Sequence, residues 1–266
     1  MSAIRTPAVA GMFYPADSGH LARDVRAMLA AASRSELNPK ALIAPHAGYI
    51  YSGAIAASAY AALKNSASHI RRVVLLGPTH RVAVRGLALP GAEAFATPLG
   101  TVQLDLEAAQ AIAHLPQVTV SAPAHAQEHS LEVQLPFLQT VLPGFKLLPL
   151  AVGMATPEEV AEVLEVLWGG EETLIVISSD LSHYLPYDVA QRVDNATAQN
   201  ILGLKNSISH EQACGGTPIN GLLLVARRHH LAPHLLDLRN SGDTAGPRDG
   251  VVGYAAFAFT EGAGRP

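Results

Sequence analysis

Apolar and polar positions along this chain change rhythm in blocks. Residues 40–44, 72–77 and 173–177 contain short runs of Ala, Val, Leu and Ile, the pattern of strands covered on both faces of a sheet. Elsewhere the apolar spacing lengthens to three and four. Leu21, Val25, Met28 and Leu29 form a helical stripe behind the capping candidates Asp17 and Ser18. Thr156, Pro157 and Glu159 supply cap, first-turn proline and capping-box glutamate for a helix expected to run to Trp168. Further helices are expected over 54–63, 104–115, 189–202 and 219–228. Another is expected within 125–138, where Leu131, Leu135 and Leu138 share a face and Pro136 must shorten or kink it. The remaining strand candidates are 86–89, 118–120, 146–152, 235–238 and 251–259, with Pro149 pushing 146–152 towards a sheet edge. Residues 7–15, with two prolines and a glycine, read as an extended arm; the stretch around Phe95, Thr97 and Pro98 reads as a loop, as does 241–249.

Strand and helix alternate without a repeat, a low-complexity tract or a linker. The expected architecture is one α/β domain over residues 1–266, with a central mostly parallel or mixed sheet flanked by helices. Composition agrees: 49% of residues are hydrophobic and 15% charged, as a doubly covered sheet needs. The formal net charge is -4 and no basic tract is present, which argues against a nucleic-acid ligand. The first residues lack a hydrophobic signal core, and the apolar run 219–226 is too short to span a bilayer, so a cytoplasmic protein without a membrane partner is expected. The single cysteine rules out an internal disulfide.

Chemistry gathers where strands end. His46 lies two residues past the 40–44 run, His80 three past Gly77, and Asp180 and His183 just past the 173–177 run. Turns at the carboxyl ends of parallel strands converge on one crevice, so these residues are candidates for a common site. Cys214 precedes Gly215, Gly216 and a helix start, a setting that favours a thiolate. It fits either a nucleophile with a histidine base or a metal ligand beside imidazoles, and spacing does not choose between them. His125 and His129 stand four apart, but the glutamate, Glu128, adjoins the second histidine, so the metalloprotease pattern fails. His125 is expected at the surface. His129 and Glu132 are expected to enter the crevice as a polar second layer, and Tyr49, between Gly48 and Gly53, to shape its wall. No Walker lysine and no dinucleotide glycine pattern accompanies a strand.

Several ordered motifs together resemble the Memo-like family, known in bacteria and archaea as AmmeMemoRadiSam system protein B. They are Ala8-Val-Ala-Gly-Met-Phe-Tyr-Pro15, Pro45-His-Ala-Gly-Tyr-Ile-Tyr-Ser-Gly53, Leu76-Gly-Pro-Thr-His80, Glu128-His-Ser-Leu-Glu-Val-Gln-Leu-Pro-Phe137, Ser178-Ser-Asp-Leu-Ser-His183, Cys214-Gly-Gly216 and Ser241-Gly-Asp243. The resemblance implies a fold related to class III extradiol dioxygenases, which hold non-haem iron with two histidines and a carboxylate. It implies His46, His80 and Cys214 as the metal ligands here, with His183 at the acid/base position, Asp180 beside it and His129 nearby. A thiolate in place of the carboxylate softens the set, so copper or zinc fits as well as iron, and it weighs against ring cleavage. The family name also implies a functional link to a radical-SAM protein and an AMMECR1-like protein. The leading expectation is a metal-dependent oxidoreductase acting on an unknown small molecule. The alternatives are a non-catalytic metal-binding or peptide-interaction module and a cysteine hydrolase using Cys214.

Overall fold

The computed structural model describes residues 3–33 and 35–262. Its strands, in chain order, are β1 (Ile4–Arg5), β2 (Pro39–Ala44), β3 (Arg72–Pro78), β4 (Leu87–Leu89), β5 (Ala94–Thr97), β6 (Gly100–Gln103), β7 (Val118–Val120), β8 (Lys146–Val152), β9 (Thr173–Ser178), β10 (His183–Leu185), β11 (Leu231–Asn240) and β12 (Val251–Glu261). The α-helices are α1 (Ser18–Ala31), α2 (Tyr49–Ala61), α3 (Leu106–Ile112), α4 (Ala122–Ala126), α5 (Leu135–Val141), α6 (Pro157–Val166), α7 (Tyr187–Leu202) and α8 (Gly216–Arg228).

One mixed sheet carries the fold, in the order β10-β12-β2-β9-β3-β8-β4-β7, with β11 also paired to β12. Its centre, β2-β9-β3-β8, is parallel, and β12 and β4 flank it antiparallel. Side chains alternate between the two faces, as strand geometry requires. Leu42, Val73, Leu75, Leu174 and Val176 join the core under α1, α2 and α5. Ala41, Ile43, Val74, Leu76, Ile175 and Ile177 join the opposite core under α6 and α8. Every residue of β2 and of β9 is buried, which explains why these strands read as unbroken apolar runs instead of alternating ones. The α/β class, the helices on both faces and the parallel centre are as expected.

Local signals explain the helix starts. Asp17 accepts from the His20 amide to cap α1, and Thr156 with Glu159 forms the capping box of α6. Helix α2 starts at Tyr49, five residues before its expected start, so the Tyr49–Gly53 stretch is its first turns and not a loop. Gly53 serves close packing, since a Cβ there would lie 2.6 Å from Met28 Sδ on α1. The expected helix of 125–138 is two helices, α4 and α5, with an irregular segment and a short 3-10 turn, Glu132–Gln134, between them. Pro136 sits in the first turn of α5, where a missing amide proton costs nothing.

One strand expectation and one loop expectation need correcting. Strand β8 lies inside the sheet, between β3 and β4, and not at its edge. Proline is tolerated there because β4 pairs only with Ala151 and Val152, leaving no β4 ladder beside Pro149. The stretch around Phe95 and Thr97 is a hairpin, β5-β6, that pairs with β1 in a small second sheet.

That second sheet starts the arm, and a buried ion pair fastens it. Arg5 meets Glu132, with side-chain exposures of 7% and 0%. Glu132 also accepts from the amides of Ala8 (2.7 Å) and Val9 (3.0 Å) and from the Tyr14 hydroxyl. Arg5 donates further to the carbonyls of His125 and Glu128. Nearby, His125 is 2% exposed and not on the surface; its Nε2 lies 2.7 Å from the Ala88 carbonyl, joining α4 to β4.

Two outcomes follow from these buried groups. Arg5→Met strands the Glu132 carboxylate without its cation and should lower the unfolding free energy by about 3–5 kcal/mol, read from urea midpoints; a loss below about 1 kcal/mol would contradict the role given to the pair. Burial lowers the His125 pKa from 6.5 to about 4, so the ring is neutral in the fold but takes up a proton on unfolding below about 6.5. Its contribution is therefore intact above that pH and lost progressively down to pH 4, to a total of about 3 kcal/mol. His125→Gln should flatten this part of the stability–pH curve relative to the parent, and parallel curves would remove His125 as the cause.

Candidate metal centre

The parallel register delivers the site. Ala44 of β2 pairs with Ser178 of β9, and Leu76 of β3 pairs with Ile177. The chain leaving each strand therefore emerges at one end of the sheet, and His46, His80 and Asp180 arrive together. The broken segment between α4 and α5 adds Glu128 and His129.

The donor atoms of His46, His80 and His129 all lie within 4.8 Å of one another. Ring centroids are 5.2 Å apart for His46 and His80, 5.4 Å for His46 and His129, and 4.6 Å for His80 and His129, the last pair stacked. His46 is buried, whereas the His80 side chain is 30% exposed and opens the cluster to solvent. Cys214 stands beside this set, its Sγ 3.3 Å from His46 Nε2. Thus the three clustered donors are His46, His80 and His129, the last expected one layer out, while Cys214 touches this set through His46.

Each ring is held from behind. His46 Nδ1 is 2.9 Å from Ser178 Oγ, and its amide donates to Asp180 Oδ1 at 2.7 Å. His80 Nδ1 is 2.9 Å from Glu128 Oε1, and its amide donates to Glu128 Oε2 at 2.6 Å. His129 Nδ1 lies 3.3 Å from the same Oε1. Engaging Nδ1 on His46 and His80 leaves Nε2 of each for a ligand. Gly77 in β3 makes room for this turn, since a Cβ there would fall 2.8 Å from Ser130 Oγ.

Burial is the dominant electrostatic influence. It drives the His46 pKa well below the ordinary histidine value, reinforced by His80 and His129, and lowers His129 to about 4. His183 shifts down for the same reason, opposed by its hydrogen bond with the Leu181 backbone. Burial pushes the Glu128 carboxyl up, but the His80 ring and the amides of Ser130 and His80 outweigh it and hold the group at about 2. Asp180 rises to about 7 on burial, against the hydrogen bonds from the His46 and Ala47 amides. Burial thus favours the neutral form of His46 and His129, the form in which an imidazole binds a metal, beside the anionic Glu128.

Other candidates fall in different places. Asp180 is turned to the His46 and Ala47 amides, so it supports the loop that bears His46. Glu132 points into the arm and not into the crevice, because the chain is not helical between Glu128 and Glu132 and the two glutamates diverge. Tyr49 donates to the Val133 carbonyl at 2.6 Å and lines a groove of about 620 Å³ with Met12, Phe13 and Tyr51. Phe13 in turn packs on His129, with centroids 4.7 Å apart. The thiolate-favouring setting expected for Cys214 is outweighed: burial pushes its thiol up to about 12 against the hydrogen bonds with Asp180, Ser179 and Gly215. The residues that sequence reading missed are Glu128, Ser178 and Gln134. Only Glu128 carried a signal, as the acidic neighbour of a crevice histidine.

Comparison with known proteins agrees with the motifs. The family model described as Memo-like protein matches residues 5–258. A MEMO1 family protein of Metallosphaera sedula is 34% identical, over 97% of this chain and 99% of its own length. One from Aquifex aeolicus is 35% identical over 96% and 99%. Among solved structures, uncharacterized protein JW3007 from Escherichia coli K12 aligns with a TM-score of 0.52 at 16% identity, covering 82% of this chain and 98% of that one, a likeness of fold alone. With nearly its whole length matched by both the family model and these relatives, the chain belongs to the Memo-like family.

Proposed function

We propose that this chain is a metal-dependent oxidoreductase whose ion, iron foremost, is held by His46, His80 and Cys214, with His129 as a further donor, and whose substrate is a small molecule. The observation that carries the reading is the convergence of three imidazoles within 4.8 Å, each kept from straying by a buried partner. The donors suit such an ion: imidazoles whose Nδ1 is occupied on His46 and His80, and a sulfur 3.3 Å from His46 Nε2. Copper or zinc would fit the same set. A bound iron would supply Lewis acidity and one-electron redox chemistry.

The chain's own residues do the rest. Glu128 orients His80 and steadies His129. Asp180 acts through His46, by holding the backbone amide of that residue. His183, half-buried on β10 with its pKa lowered by burial, accepts a proton from the substrate and returns it. A link to a radical-SAM protein and an AMMECR1-like protein belongs to the same proposal. No helix among the described residues is long and apolar enough to cross a membrane.

Metal analysis of anaerobically purified protein should find bound metal in the parent and almost none in His46→Ala or His80→Ala. Metal-free parent protein that also refuses added iron, copper and zinc would end the proposal. Cobalt(II) substitution should give a thiolate-to-cobalt absorption band that disappears in Cys214→Ser; a parent lacking the band does not use the sulfur. Turnover of a catechol-like compound should fall by roughly 10²–10⁴-fold in His183→Ala with metal content unchanged. Peptide binding without any turnover would favour the interaction-module alternative.

A further inference from the structure

We propose that a buried chain of positioning residues, Tyr60–Gln134–Ser178, fixes His46 in the Nδ1–H tautomer and thereby presents a bare Nε2 lone pair to the metal centre. The inference deepens the metal-centre reading and rests on it for its purpose, though not for its geometry.

Donor and acceptor counting forces the direction of every bond. Gln134 Nε2 lies 3.0 Å from the Pro45 carbonyl, an atom that only accepts, so this end of the amide is the nitrogen. Its carbonyl end then faces Tyr60, whose hydroxyl donates to Oε1 at 2.7 Å. The same Nε2 donates to Ser178 Oγ at 2.8 Å. Ser178 has one proton to give. The Ser130 carbonyl, 2.6 Å away, can only accept it. The remaining contact of Ser178 Oγ is His46 Nδ1 at 2.9 Å, and with its proton already committed the hydroxyl must accept there. His46 Nδ1 therefore carries the hydrogen, and Nε2 does not.

Burial gives this assignment its force. Tyr60, Gln134, Ser178 and Ser130 are all 0% exposed, so no bulk solvent competes for these groups and reversing one bond would strand another polar atom. Besides the turn after β2 that bears His46 itself, the elements involved are α2, the 3-10 turn Glu132–Gln134 and the end of β9, so the chain ties the imidazole to three other parts of the fold. His80 is oriented by a carboxylate, while His46 is oriented by neutral groups alone.

The test is long-range ¹H–¹⁵N NMR on metal-free, histidine-labelled full-length protein, with the His46 signals assigned by their loss in His46→Gln. The expected result is a proton on Nδ1 and an unprotonated Nε2. A proton on Nε2 in the parent overturns the proposal. Ser178→Ala should release the ring to a tautomer mixture and weaken cobalt(II) binding by roughly 10–100-fold, with Gln134→Leu acting in the same direction. Ser178→Thr, which keeps the hydroxyl, should restore both. If Ser178→Ala keeps both the parent tautomer and the parent cobalt(II) affinity, the chain does not position His46. Should the parent bind no metal at all, the metal-centre reading fails, and the tautomer in the metal-free protein still decides this one.

Discussion

The pairing of β2, β9 and β3 in parallel, with Ala44 opposite Ser178 and Leu76 opposite Ile177, is the constraint on which the site depends. Parallel strands all finish at the same end of a sheet, so whatever follows them must share that end. A slip of one residue in β9 would reverse which of its side chains face the two helical layers. The buried runs Leu42/Val176 on one face and Ile43/Ile177 on the other resist that slip. The core thus sets where Ser178 stands relative to His46, and the centre inherits its precision from packing on both faces of the sheet.

The polar groups around the centre form two separate systems. Neutral groups anchor the His46 ring through Ser178 and Gln134, while on the exposed side of the cluster Glu128 is hydrogen-bonded to His80 and lies beside His129. A carboxylate behind an imidazole raises its basicity as a ligand, and a hydroxyl does so far less. His46 and His80 are therefore unequal donors despite their chemical identity. The buried one is the rigid member and the accessible one the electron-rich member.

Much of this was legible from the chain alone. The three unbroken apolar runs revealed the central strands, and counting past their ends reached His46 and His80 of the imidazole cluster and Asp180 beside it. What was hidden depended on geometry without a local signature. Helix α2 begins in a stretch rich in tyrosine and glycine, which reads as a turn until Gly53 is seen against Met28. Pro149 suggests an edge unless the short reach of β4 is known. Glu128 and Glu132 look like one helical face, and it is the break between α4 and α5 that sends the first to the centre and the second to the arm. Ser178 and Gln134 were out of reach, because their roles come from partners 132 and 89 positions away in sequence.

The arm has a bearing on how the molecule is made. Arg5 and Glu132 are 127 positions apart, and Phe13, which packs on His129, lies in the segment they secure. On the ribosome Arg5 is synthesised 127 residues before its carboxylate partner. Until then the arm has nothing to close upon, and the wall it builds beside the histidines cannot form. Assembly of the centre is thereby deferred: the histidine at the end of β2 is in the chain early, but its enclosure waits for the α4–α5 segment. A nascent chain therefore exposes an incomplete set of imidazoles until the whole pocket is in place.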